Sequence, residues 1–188
     1  MFSNIVNRLI ALIFKPTEAW ARLKQKEEDH ETFLSRYLYP LIGCIALAAF
    51  LGVLFSRKEF NFEIALKSAI KMLLSSGGGF FMAVYMLNEL WNVVFKRSKD
   101  LKLWQYFVGY ASSLMFVLSI VVALLPEFYF LRILVLWTVY IIWEGAVGYM
   151  EVMENEQLKF TLIASGIIIG MPLVIDFLLF LLMPGLRL

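Results

Sequence analysis

Five stretches of twenty or more largely apolar residues recur along the chain, at about 36–56, 70–95, 103–125, 130–153 and 160–183, separated by short polar segments. About 20 apolar residues in a helix, rising 1.5 Å each, cross a hydrocarbon core roughly 30 Å thick. In lipid the backbone must satisfy its own hydrogen bonds within each stretch, which restricts such segments to helix. Composition agrees. The 188 residues are 61% hydrophobic and 17% charged, against about 45–50% and 25% for a soluble domain. The predicted class is all-α: a polytopic transmembrane bundle of five helices with an N-terminal amphipathic interfacial helix.

The chain divides into residues 1–35, which hold the polar and amphipathic material, and residues 36–188, which hold the five spans. Within Met1 to Phe14, helical spacing places Phe2, Ile5, Val6, Leu9, Ile10 and Ile13 on one face, with Asn4, Asn7 and Arg8 on the other. That is the pattern of a helix lying in a membrane interface, with Phe2, Ile5 and Leu9 as anchors. A cleaved signal peptide fits less well, because the charged lead and the small-residue cleavage site are missing. Lys15-Pro16 ends the segment, since a residue before proline is pushed out of the α region. Thr17 to Glu31 is strongly polar, and Glu18 and Arg22 form an i,i+4 opposite-charge pair. Trp20 and Leu23 give it a narrow apolar edge, so the stretch is either a short helix on the membrane surface with Trp20 at the lipid headgroups or a plain solvated helix.

Charge sets the expected orientation. Eleven of the 17 Lys and Arg residues fall on the N-terminal side of the spans and six on the other. By the positive-inside rule the N-terminus is cytoplasmic and the C-terminus outside. Partners implied at this stage are the lipid bilayer and either a second copy or another membrane protein. A net charge of +2 and the lack of a basic stripe argue against nucleic acid. One Cys and one His exclude an intrachain disulfide and a His-rich metal cage. No motif of hydrolytic or metalloprotease type is present, so neither an enzyme nor a cofactor is expected.

A few ionisable residues lie within or near the spans, where a charge costs several kcal/mol unless it finds a partner. Glu89 and Glu144 are expected at similar depth, about 9 and 13 Å from the cytoplasmic ends of their spans at 1.5 Å per residue. Tyr85, Asn88, Glu89 and Asn92 share one face of the second span. Tyr140, Glu144 and Glu151 share a face of the fourth, with Gly148 a turn from Glu144. Facing each other, these stripes would form a polar pocket. Its oxygen donors would suit a proton or a hard cation, or would hold the helices together. Lys71 and Asp176 are both expected near the outer face, as an ion pair. Ser75-Ser76-Gly77-Gly78-Gly79 is either a hinge exposing backbone or a place where another helix leans on bare backbone. Gly166 and Gly170 form a small-residue pair suited to close helix contact. Cys44, Ala48 and Gly52 form another such stripe.

Residues 13–28, IFKPTEAWARLKQKEE, resemble the opening signature of the Yip-domain family. In that family a hydrophobic lead is followed by a proline, a tryptophan and a charged helix, places taken here by Pro16 and Trp20. Five spans with a cytoplasmic N-terminus are also similar. The long N-terminal region and the Asp-Leu-Tyr-Gly-Pro motif of the eukaryotic branch are absent, so the resemblance is to bacterial-type members and brings no Rab-type partner. It implies a fold and a membrane location, with no established reaction. The expected function is a non-enzymatic membrane protein acting in membrane organisation or partner binding. The alternatives are a small dimeric ion or solute permease using Glu89 and Glu144, and a lipid-binding protein using residues 1–14 and Trp20.

Overall fold

The computed structural model describes residues 2–26, 28–56 and 61–182. Of these, side chains 2–4 and 54–56 are not described, so the expected anchor at Phe2 lies outside the described residues, as do Arg57 and Lys58. Among the described residues every regular element is helical.

Helix α1 (Phe2–Phe14) leads directly into α2 (Pro16–Gln25), which carries proline at its first position, where a missing N–H costs nothing. Asp29 caps α3 (His30–Phe33) by accepting from the Thr32 amide at 3.1 Å. A π-turn at Leu34–Leu38 continues into α4 (Tyr39–Ser56), so the first span is helical from His30. Helix α5 (Phe62–Phe95) runs for 34 residues. The mixed-polarity segment before Ile70 reads as a connector, but it forms the first turns of α5. The Asn61 side chain caps the Ile64 amide at 3.1 Å, and Lys67 pairs with Glu63 at 2.6 Å one turn on. Lys96, in the left-handed region with φ 53°, ends the helix.

The third span is bent. Asp100 caps α6 (Leu101–Ala111), and α7 (Ser113–Leu124) leaves it at 48°. The Ser113 hydroxyl donates to the Tyr110 carbonyl at 2.5 Å, a local competitor of the helix ladder placed at the break. A 3₁₀ segment, Pro126–Leu136, kinks at Phe128 and joins α8 (Trp137–Gly148) to make the fourth span. That span ends five residues short of the expected Met153, because the backbone turns at Tyr149–Met153 with Glu151 at φ 53°. Helix α9 (Glu154–Leu182) is the fifth span and contains Pro172. Among the described residues, four helices are long and apolar enough to cross a membrane, and five if the bent pair counts as one.

Helix α5 packs between α4 and α9; α4 also packs on α7, and α8 on α9. The small-residue stripe of α4 serves the α4–α7 crossing, where a Cβ on Gly52 would lie 1.8 Å from the Ala123 carbonyl oxygen. Helices α1 and α2 are not laid apart from the spans. Their buried side chains belong to one continuous apolar cluster with those of α4 to α9.

Candidate functional site at the N-terminal end of the bundle

The sequence leaves Trp20 at the headgroups or on a solvated helix, but the structure buries it completely, at 0% exposure. Its indole stacks on Phe107 of α6 at 5.2 Å between centroids, with Tyr149 at 5.1 Å. Its Nε1–H donates to the Ile141 carbonyl at 2.9 Å. The reason for the difference is room. Gly145 of α8 leaves a gap that a Cβ would close, lying 2.7 Å from Trp20 and 2.9 Å from Phe107. A tryptophan gains more from a dry aromatic pocket with a carbonyl acceptor than from an interface.

Around Trp20, α2 runs along the last turns of α8. Thr17 Oγ1 donates to Glu144 at 2.8 Å, Trp20 covers Gly145 and Gly148, and Lys24 pairs with Glu151 at 2.5 Å. Two members of the polar stripe expected on the fourth span thus meet α2, Glu144 from α8 and Glu151 from the turn beyond its end. Lys24 also holds the Glu151 carboxyl below its ordinary range, through their hydrogen bond. Arg97 closes the next loop over this one. Its Nη1 donates to the carbonyls of Met150 and Glu151 at 3.4 and 3.0 Å, while its guanidinium lies 5.0 Å above the Trp91 ring.

A second attachment was missed in the sequence. Arg8 of α1 grips Glu28 with two hydrogen bonds of 2.7 Å, and Tyr110 donates to the same carboxylate at 2.6 Å. Tyr106 donates to the Glu28 carbonyl at 2.7 Å. Burial would raise the Glu28 carboxyl; the hydrogen bonds from Arg8 and Tyr110 outweigh it and hold the group below its ordinary value. Nearby, Tyr37 and Ser113 share a buried hydrogen bond of 2.6 Å, and His30 bonds Gln105. The only available signal was Arg8 itself, a cation on a short apolar helix facing a downstream acidic run.

The apolar anchors are also redistributed. Ile5 and Leu9 face the bundle and are buried. The outward stripe of α1 is Val6, Ile10 and Phe14, exposed by 49, 51 and 76%.

The remaining residues singled out in the sequence are dispersed. Glu89 pairs with Lys99 of the following loop at 2.5 Å, and Glu144 bonds Thr17; no hydrogen bond or ion pair joins the two carboxylates. Helix α5 lies against α4, α6 and α9, while α8 lies against α9, α2 and α6, so the two stripes do not face each other. Asn88 is buried with its Oδ1 unpartnered, Asn92 donates to the Arg97 carbonyl at 3.2 Å, and Tyr85 and Tyr140 are exposed. Among the described residues, no group of three His, Cys, Asp or Glu side chains could hold a metal ion. At the other end of the bundle, Lys71 Nζ lies 3.4 Å from Asp176.

The glycine run is unbroken helix. Gly79 meets Pro172 of α9, where a Cβ would lie 2.8 Å from its N and Cα; Ser75 donates to the Pro172 carbonyl at 2.9 Å. Gly77 and Gly78 are looser, with side-chain carbons no nearer than 3.9 and 3.6 Å to that position. Gly166 and Gly170 have nothing within 4 Å of the place a Cβ would take, so within one chain they make no close crossing.

The sequence model of a family described as the Yip1 domain matches residues 10–177. No curated protein and no solved structure matches the chain.

Proposed function

The chain belongs to the Yip1 domain family, and on that premise we propose that it is a non-enzymatic integral membrane protein that presents a fixed platform to a partner at the membrane surface. One observation carries the reading: α1 and α2 are docked onto the bundle by a buried Trp20 and a bidentate Arg8–Glu28 pair. A segment that merely rested on lipid would need neither. Docking leaves two outward surfaces. The Val6, Ile10 and Phe14 stripe suits the acyl boundary, and the exposed residues Glu18, Arg22, Gln25 and Lys26 suit water and a protein surface. The positive-inside balance supports a cytoplasmic setting for this end, in a membrane of the bacterial inner-membrane type.

The test is photocrosslinking in cells, with the reactive residue placed in turn at Arg22, Gln25 and Leu162. Discrete protein adducts from α2, absent from the outward face of α9 at Leu162, are the expected result. Adducts at Leu162 equal to those on α2, or none on α2, would defeat the platform reading.

Lipid engagement is the second reading, favoured by the outward apolar stripe of α1 alone. The permease reading depended on Glu89 meeting Glu144, and each of these carboxylates has its own partner.

A further inference from the structure

A cleft of about 560 Å³ lies toward the end of the bundle away from the platform, between α4, α5, α7, the 3₁₀ segment and α9. Its size falls in the range of ligand sites, roughly 300–1,000 Å³. Its lining mixes two kinds of side chain: Lys71, Arg132, Asp176 and the hydroxyls of Ser68, Ser76 and Ser119 stand among the apolar Met72, Met115, Leu118, Val122 and Ile169. Leu173, on the rim, belongs to the outward-facing side of α9 and is exposed.

The charge in the cleft is unbalanced, with two cations to one carboxylate. Lys71 and Asp176 are 3.4 Å apart, a loose pair. The Arg132 guanidinium lies 4.7 Å above the Tyr129 ring and makes no ion pair among the described residues. Lys71 stands nine residues into α5, about 14 Å along the helix. Because α5 is 34 residues long, that position is near the outer face, where one carboxylate leaves two cations with a net positive charge for an anion to balance. Arginine and serine donors together match the oxygens of a phosphate group.

We propose that this cleft binds an anionic phospholipid, the phosphate with Lys71 and Arg132 and an acyl chain against the apolar side chains of the lining. The many apolar lining residues and the exposed Leu173 on the rim favour a lipid over a free anion. The inference is independent of the platform.

The experiment is thermal unfolding of the whole chain in detergent with added dioleoyl phosphatidylglycerol, dioleoyl phosphatidylcholine or inorganic phosphate. Phosphatidylglycerol at about 100 times its dissociation constant is expected to raise Tm by roughly 5–10 °C. Arg132→Gln should lose most of that response. Arg132 is exposed and touches a ring only, so the variant should fold. The double variant Lys71→Gln with Asp176→Asn should lose it too, without leaving an unpaired carboxylate. Lys99→Gln, at the other end, should respond like the unaltered chain. Equal stabilisation by phosphatidylcholine, full stabilisation by phosphate alone, or an undiminished response in Arg132→Gln would each overturn the proposal.

Discussion

Replacing Trp20 with alanine tests how the platform is held. The side chain is fully buried, stacked at 5.2 Å on Phe107, and donates one hydrogen bond to a helix carbonyl. Truncating a buried tryptophan costs about 3–5 kcal/mol. The five spans keep their own packing, so the loss should fall on the docking of α1 and α2 and leave the bundle folded. If the segment exchanges its amides by local opening, that energy corresponds to an opening constant larger by on the order of 10²–10⁴. Hydrogen exchange followed by mass spectrometry, in nanodiscs, reads it directly. Amides of residues 5–25 should exchange at least a hundredfold faster, while those of α5 and α9 hold their rates. Gly145→Leu should have the same effect from the other side, because its side chain takes the space Trp20 occupies. Less than a tenfold change at residues 5–25 in both variants would refute the pocket as the source of docking. Equal acceleration throughout α5 would refute the division between platform and bundle.

Three other outcomes follow from the contacts of Gly79, Glu89 and Glu28. Gly79→Ala sets a Cβ against Pro172 backbone and should cost about 1–3 kcal/mol, whereas Gly78→Ala should be neutral or gain up to about 1 kcal/mol; the order of their thermal midpoints decides between packing and hinge. Glu89→Gln removes a pair whose side chains are 40 and 43% exposed, so it should change stability by less than about 1 kcal/mol and leave the response to a panel of cations unaltered; a selective cation shift lost in Glu89→Gln and Glu144→Gln would restore the ion-site reading. Glu28 is held below its ordinary carboxyl value in the folded chain, so its contribution is complete above about pH 4.3 and is lost as pH falls through the lowered value. Protection of the α1 amides, measured relative to their intrinsic exchange rate at each pH, should therefore fall on acidification, and Glu28→Gln should abolish that fall.

The helical class was legible because each apolar stretch is long enough to leave no other solution. Local chemistry was legible too: Pro16 opens α2, and Glu63 pairs with Lys67 one turn on. Faces were easier to read than neighbours. Of the stripe of Tyr140, Glu144 and Glu151, only Tyr140 and Glu144 lie on α8, which ends at Gly148, and helical periodicity cannot say whether α5 or α2 lies across from Glu144. Trp20 shows the same limit. An amphipathic ring on a charged helix suits an interface equally well until Gly145, more than a hundred residues on, provides a pocket. The Arg8–Glu28 pair joins two residues twenty positions apart through a turn whose path is set by Tyr106 and Tyr110, and neither residue stands out by type. The pairing of Lys71 with Asp176 needed depth alone, which counting residues supplies.

The position of Trp20's partners also sets an order of assembly. Phe107, Ile141 and Gly145 follow it by 87 to 125 residues in the chain, and translation adds about 5–20 residues each second. For some 6–25 seconds a nascent chain therefore carries an exposed tryptophan at the membrane surface, with nothing to receive it. The pocket closes only after the fourth span is in place. Closure of the N-terminal segment thus reports that insertion has run nearly to completion, and a chain stalled or mis-threaded before α8 would display Trp20 to any quality-control factor that surveys unburied aromatic side chains.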